Sequence, residues 1–139
     1  MEFDLLTIDT HYDDYWILEA VLSGDYRPKV IVHAINQQSP EVCVSVAKSD
    51  EIHNNDGSNY HGANICAFYC LAQAFDYSMV YCDSNGFYCF LVANELLRNQ
   101  FFLDLNVLKR SLNPFSLFRK AGFDEYQSKK TWYQIDKCY

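Results

Sequence analysis

Two apolar runs of strand length, "FDLLTID" at 3–9 and "VIVHAI" at 30–35, flank a segment of helical character. That alternation restricts the fold more than any other feature. Two strands joined through a helix pair in parallel, because the crossover returns the chain to the same end of the sheet. The intervening helix is read from "DDYWILEAVLSG". Asp13 or Asp14 caps it, Gly24 ends it, and Trp16 and Ala20, with Ile17 and Val21 beside them, form its apolar stripe. Pro28 stops any helix before the second strand. A polar stretch at 37–59 reads as a long loop, and "YHGANICAFYCLAQAFD" at 60–76 as a second helix. "YSMVYCDS" and "GFYCFLV" are two strands joined by Ser84, Asn85 and Gly86, a hairpin-like turn. Residues 94–112 read as helical, with Pro114 as the breaker. The whole pattern predicts an α/β fold: a mostly parallel sheet, a final antiparallel hairpin and flanking helices.

The 139 residues are half hydrophobic, enough for one domain with a real core. The net charge of −7 argues against a non-specific nucleic-acid binder, which needs a basic surface. The charge is uneven. Residues 1–97 carry 3 Lys and Arg against 14 Asp and Glu, whereas 98–139 carry 8 against 4. The basic, aromatic tail "PFSLFRKAGFDEYQSKKTWY" is therefore expected to pack back on the acidic body, with nucleotide stacking on its rings as the less favoured reading. No run approaches the length of a membrane span, and no basic segment precedes an apolar stretch at the N-terminus. The expected location is cytoplasmic, with no membrane partner.

The six cysteines sit mostly among Phe, Tyr, Val and Leu, so reduced, packed thiols are expected. Cys66 and Cys70 share one helix face, and no CxxC or zinc-finger spacing occurs.

The segment from Asp9 to Asp14 concentrates candidate chemistry: one histidine and three carboxylates in six residues. Carboxylates at a helix start are accounted for by capping and the helix dipole. Two further uses stay open. Asp9, His11 and Asp14, with His61 at the start of the second helix, could act in acid–base catalysis. Asp9, His11 and Asn36 could hold a divalent cation, the imidazole favouring Mn²⁺, Fe²⁺ or Zn²⁺. His33 falls in a buried strand and reads as a core or edge residue, and His53 as solvated.

Four ordered blocks, "FDLLTIDTHYDDYWILEAV", "YRPKVIVHAIN", "NDGSNYHGAN" and "VYCDSNGFYCFLV", resemble the second half of class I S-adenosylmethionine-dependent methyltransferase-like proteins of the FkbM type. The resemblance covers residues 3–97. It implies a partial Rossmann-like methyltransferase sheet, with Phe3–Asp9 as its fourth strand, Val30–Ile35 as its fifth and the hairpin as its sixth and seventh. The acidic cluster would then lie at the carboxyl ends of parallel strands, where open α/β sheets bind ligands. Asp9, Asp14, Tyr15, Trp16, Asn36, Gly57 and Gly62 match the family pattern. His11, Tyr12, Asp13, Ala34, His61 and Asn64 depart from it.

The family binds its cofactor mainly through strands one and two and a glycine-rich first turn. The five glycines here, at 24, 57, 62, 86 and 122, form no such turn. The resemblance therefore implies a half-domain at 1–97 that carries a tail at 98–139. It binds no cofactor alone, and S-adenosylmethionine, with or without a divalent cation, only as part of a complete enzyme. The expected function is a binding or dimerising module that uses an uncovered sheet edge to meet a second copy or a protein partner. The alternatives are the acceptor side of an active methyltransferase, or a small metal-dependent hydrolase using Asp9, His11 and Asp13 or Asp14.

Overall fold

The computed structural model describes residues 1–36, 43–48, 60–83, 86–97 and 132–135. The first apolar run forms β1 (Glu2–Ile8), followed by α1 (Asp14–Ser23) and β2 (Arg27–Ala34). A two-residue strand, β3 (Val44–Ser45), precedes α2 (Ile65–Ala74). Then come β4 (Tyr77–Cys82), β5 (Tyr88–Ala93), a 3-10 turn (Asn94–Leu96) and β6 (Tyr133–Gln134). The chain is a mixed α/β structure. Its main sheet has the order β1-β2-β5-β4, with β1 and β2 parallel and β5 antiparallel to both neighbours. β3 and β6 pair separately.

Side-chain alternation sets the two faces of the sheet. Ile8, Ile31, His33, Cys89, Leu91 and Met79 are buried on one face. Both helices cover that face: α1 lies over β1 and β2, and α2 over β4. Phe68 joins them, stacking on His33 at 3.8 Å between ring centroids and meeting Tyr15 at 5.8 Å. The opposite face carries Leu5, Val30, Val32, Phe90, Val92 and Tyr81, all at least partly accessible. Tyr77 reaches from β4 across the sheet and donates its hydroxyl to Pro28 O at 2.6 Å.

Several local expectations are corrected. The inward face of α1 is Tyr15, Leu18 and Leu22, not Trp16 and Ala20. "YWILEAVL" is apolar on every side but that of Glu19, so periodicity alone could not select the buried stripe. Trp16 lies at the rim, where its indole N–H donates to Val46 O at 2.9 Å and its ring meets Lys48 and Tyr133. The second helix begins at Ile65 rather than Tyr60, because Asn64 caps it. The Asn64 Oδ1 accepts from Ala67 N at 3.1 Å and from Val44 N at 3.2 Å, while the residue is fully buried. Asn64→Ala removes a cap and the partner of the part-buried Val44 N–H, so urea unfolding should show a loss of about 1–2 kcal/mol.

Reduced cysteines are not what the structure shows. Cys43 is disulfide-bonded to Cys66, with Cα atoms 4.7 Å apart. Cys82 and Cys89, directly opposed on β4 and β5, form another disulfide with Cα atoms 4.3 Å apart. Spacing concealed both pairs, since strand register and the seating of Cys43 against α2 bring them together.

The helical reading of 94–112 is met only by the 3-10 turn at its start. Its remainder, Pro114, His53, Cys138 and the tail up to 131 lie outside the described residues. Trp132 packs on Tyr60, Ile135 packs against the core, and β6 pairs with β3.

Candidate functional site

The carboxyl ends of β1 and β2 carry the residues singled out by the sequence. Asp9 follows the last residue of β1, and the chain turns through Thr10–Asp13 into α1. His11 takes a left-handed backbone conformation, φ 72°, in that turn. Histidine tolerates this region better than most residues, so the turn forms although Tyr12 stands where the resemblance has glycine. Gly62 also has a positive φ, 56°, and a side chain there would come 3.7 Å from His11 O.

Asp9 forms a dyad with His11: Oδ1 lies 3.2 Å from Nδ1, with the imidazole 78% exposed. The other carboxylate oxygen accepts from the Tyr88 hydroxyl at 2.9 Å. That hydrogen bond to a carboxylate pushes the Tyr88 phenol above its ordinary value. Asp14 is 1% exposed and accepts from Thr10 N at 2.9 Å and Thr10 Oγ1 at 3.1 Å. It therefore ties the preceding turn to the first residue of α1 and does not cap a helix N–H, contrary to the expectation for Asp13 or Asp14. Asp13 occupies the cap position without a side-chain cap bond.

His61 is half-buried and close enough to feel both His11 and Asp14. Burial, reinforced by His11, holds its imidazole below the ordinary histidine value, while Asp14 acts the other way. Asn36, buried at the end of β2, donates its amide N–H to His61 O, and its backbone N–H donates to Ala63 O at 2.8 Å. The fold thus brings Asp9, His11, Asp14, Asn36 and His61 to one end of the sheet.

These five have different chemical scope. Asp9 and His11 are accessible and paired, so they could relay a proton with Tyr88 beside them. Asp14 and Asn36 face inward to backbone and hydroxyl partners and hold the loop. Tyr88 and Thr10 were missed in the sequence. Only the pairing of Tyr88 opposite Ala34 reveals that its hydroxyl reaches Asp9.

Among the described residues, one group of at least three His, Cys, Asp or Glu side chains brings its ligand atoms within 4.8 Å of one another: Cys43, Cys66 and Cys70. A pocket of about 240 Å³ lies at the opposite, amino-terminal end of β1 and β2, lined by Arg27, Lys29, Tyr77 and Glu95 among others. It is separate from the Asp9 cluster. Among the described residues, no helix is long and apolar enough to cross a membrane.

No known family model, curated protein or solved structure matches this chain.

Proposed function

We propose that this chain is a methyltransferase-like α/β half-domain that works as a dimerising module, with a second copy pairing along β1. The observation that carries this reading is the outer edge of β1. Arg27 N donates to Met1 O, so in the parallel ladder Met1, Phe3, Leu5 and Thr7 direct their backbone polar groups to β2. Asp4 and Leu6 direct theirs outward. Among the described residues, no strand pairs with that side. A bare row of N–H and C=O groups is a template for another strand. Antiparallel pairing of β1 with its own copy satisfies both edges through one two-fold interface. The Asp4 charge on this edge is offset by Lys29 at 2.7 Å.

Two features support the methyltransferase-like part of the reading. β5 runs antiparallel between β2 and β4, as the final hairpin of the resemblance requires. Both helices lie on one face, as successive right-handed crossovers progressing in one direction demand. A doubly wound sheet covers its other face with helices from its other half. Here the face bearing Leu5, at 58% exposure, and Tyr81, at 54%, has no helix over it among the described residues.

Sedimentation equilibrium of the full chain tests the reading. A dimer is expected at concentrations on the order of ten micromolar. Asp4→Pro removes an outward N–H and leaves the β1–β2 ladder intact, and it should shift the protein to monomer. A monomer at every concentration would sink the dimer. Micromolar binding of S-adenosylmethionine by calorimetry would refute the view that the chain alone lacks a cofactor site.

A further inference from the structure

We propose that, once its disulfides are reduced, this protein binds one Zn²⁺ through the thiolates of Cys43, Cys66 and Cys70. This site is distinct from the Asp9 cluster and independent of the β1 edge. Cys66 and Cys70 stand one turn apart on α2 and are both buried. Cys43 enters from the segment just before β3, held there by Ile135 N donating to Cys43 O at 2.9 Å and by β3 pairing with β6. Two elements far apart in sequence thus deliver three sulfurs within 4.8 Å of one another.

The separation suits the metal. Zinc–thiolate bonds are about 2.3 Å long, which places sulfurs of a tetrahedral site about 3.8 Å apart. Cys43 Sγ and Cys70 Sγ lie 3.6 Å apart. Cys43 and Cys66 are bonded to each other here and Cys70 is also disulfide-bonded; opening those bonds releases all three sulfurs to take up the same spacing. Cys66 is the second residue of α2, where the positive end of the helix dipole favours a thiolate. Three soft anionic ligands select a borderline or soft d¹⁰ cation over Mg²⁺ or Ca²⁺. With three protein ligands, the fourth position is open to a further ligand.

The same sulfurs cannot be a disulfide and a zinc site at once, so redox state governs metal binding. Each disulfide engaging them opens by accepting two electrons and two protons. With a water-soluble phosphine as reductant, the phosphine loses the two electrons, takes oxygen from water to become its oxide, and water supplies both protons. Zn²⁺ then displaces the thiol protons to buffer as the three S–Zn bonds form.

The test uses the full chain reduced with that phosphine and titrated with Zn²⁺, with Co²⁺ as spectroscopic probe. One equivalent should bind, with a thiolate-to-Co²⁺ charge-transfer band that Zn²⁺ abolishes, and the oxidised chain should bind none. Cys70→Ser should weaken binding by at least the roughly tenfold to hundredfold seen when an outer-shell partner of a metal ligand is lost. Cys89→Ser should leave binding unchanged. Alkylation of the reduced natural sequence, mapped by mass spectrometry, decides the matter if a variant fails to fold. Zn²⁺-dependent protection should fall on Cys43, Cys66 and Cys70. Protection elsewhere, protection nowhere, or binding by the oxidised chain would overturn the proposal.

Discussion

Phe68→Ala should lower the unfolding free energy by about 3–5 kcal/mol, the range for removing a fully buried aromatic ring. Phe68 has no exposed surface and stands where both helices meet the sheet, stacked on His33 of β2 and tilted against Tyr15 of α1. Its removal opens a void between α1, α2 and β2. Domains of this size are stable by only about 5–15 kcal/mol, so this loss is a large share of the total. Guanidinium unfolding should show a lower midpoint with an unchanged slope. A loss below about 1 kcal/mol would mean that Phe68 does not bridge the layers.

Acidification should destabilise the protein through His33. This histidine is fully buried, its Nδ1 lies 3.2 Å from Ala34 O, and its Nε2 has no hydrogen-bond partner among the described residues. Nδ1–H donates to that carbonyl, leaving Nε2 as a bare acceptor. Desolvation lowers the imidazole from 6.5 to about 4, outweighing the opposing effect of the Ala34 carbonyl. The unfolded chain therefore takes up a proton at this residue below pH 6.5, and the folded protein does so only near pH 4. No stability is lost through His33 above pH 6.5. The loss grows as pH falls through the interval and is complete near pH 4. A gap of roughly two and a half pH units corresponds to about 3 kcal/mol. His33→Leu, close in volume and without a proton to gain, should remove that part of the acid sensitivity. Unfolding free energies of both proteins at pH 7, 5.5 and 4 provide the comparison. Parallel pH profiles would show that His33 protonates freely in the folded state.

His33 also shows how far the sequence could be read. Its place in "VIVHAI" marked a buried strand position, and the structure buries it. The ring that stacks on it is supplied by α2, more than thirty residues away, and no local pattern announces that partner. The cluster behaves similarly. The run from Asp9 to Asp14 was legible as a strand end entering a helix. The division of labour within it was not, because it depends on Tyr88 reaching Asp9 from β5, Thr10 turning back to Asp14, and His61 arriving beside His11.

The sequence by itself determined the order of β1, α1, β2, α2, β4 and β5, the parallel β1–β2 crossover and the concentration of acidic groups at the carboxyl end of β1. These follow from side-chain period, capping and chain connectivity, all of which act over a few residues or one crossover. The tertiary structure alone decided which side of α1 faces inward, which sulfurs meet and which hydroxyl caps Asp9. "YWILEAVL" offers more than one apolar face, Glu19 being its one charge, and cysteine spacing carries no distance information. Those choices are made only when burial of a shared core fixes how separate elements pack, and that free energy belongs to the assembled layers rather than to any one segment.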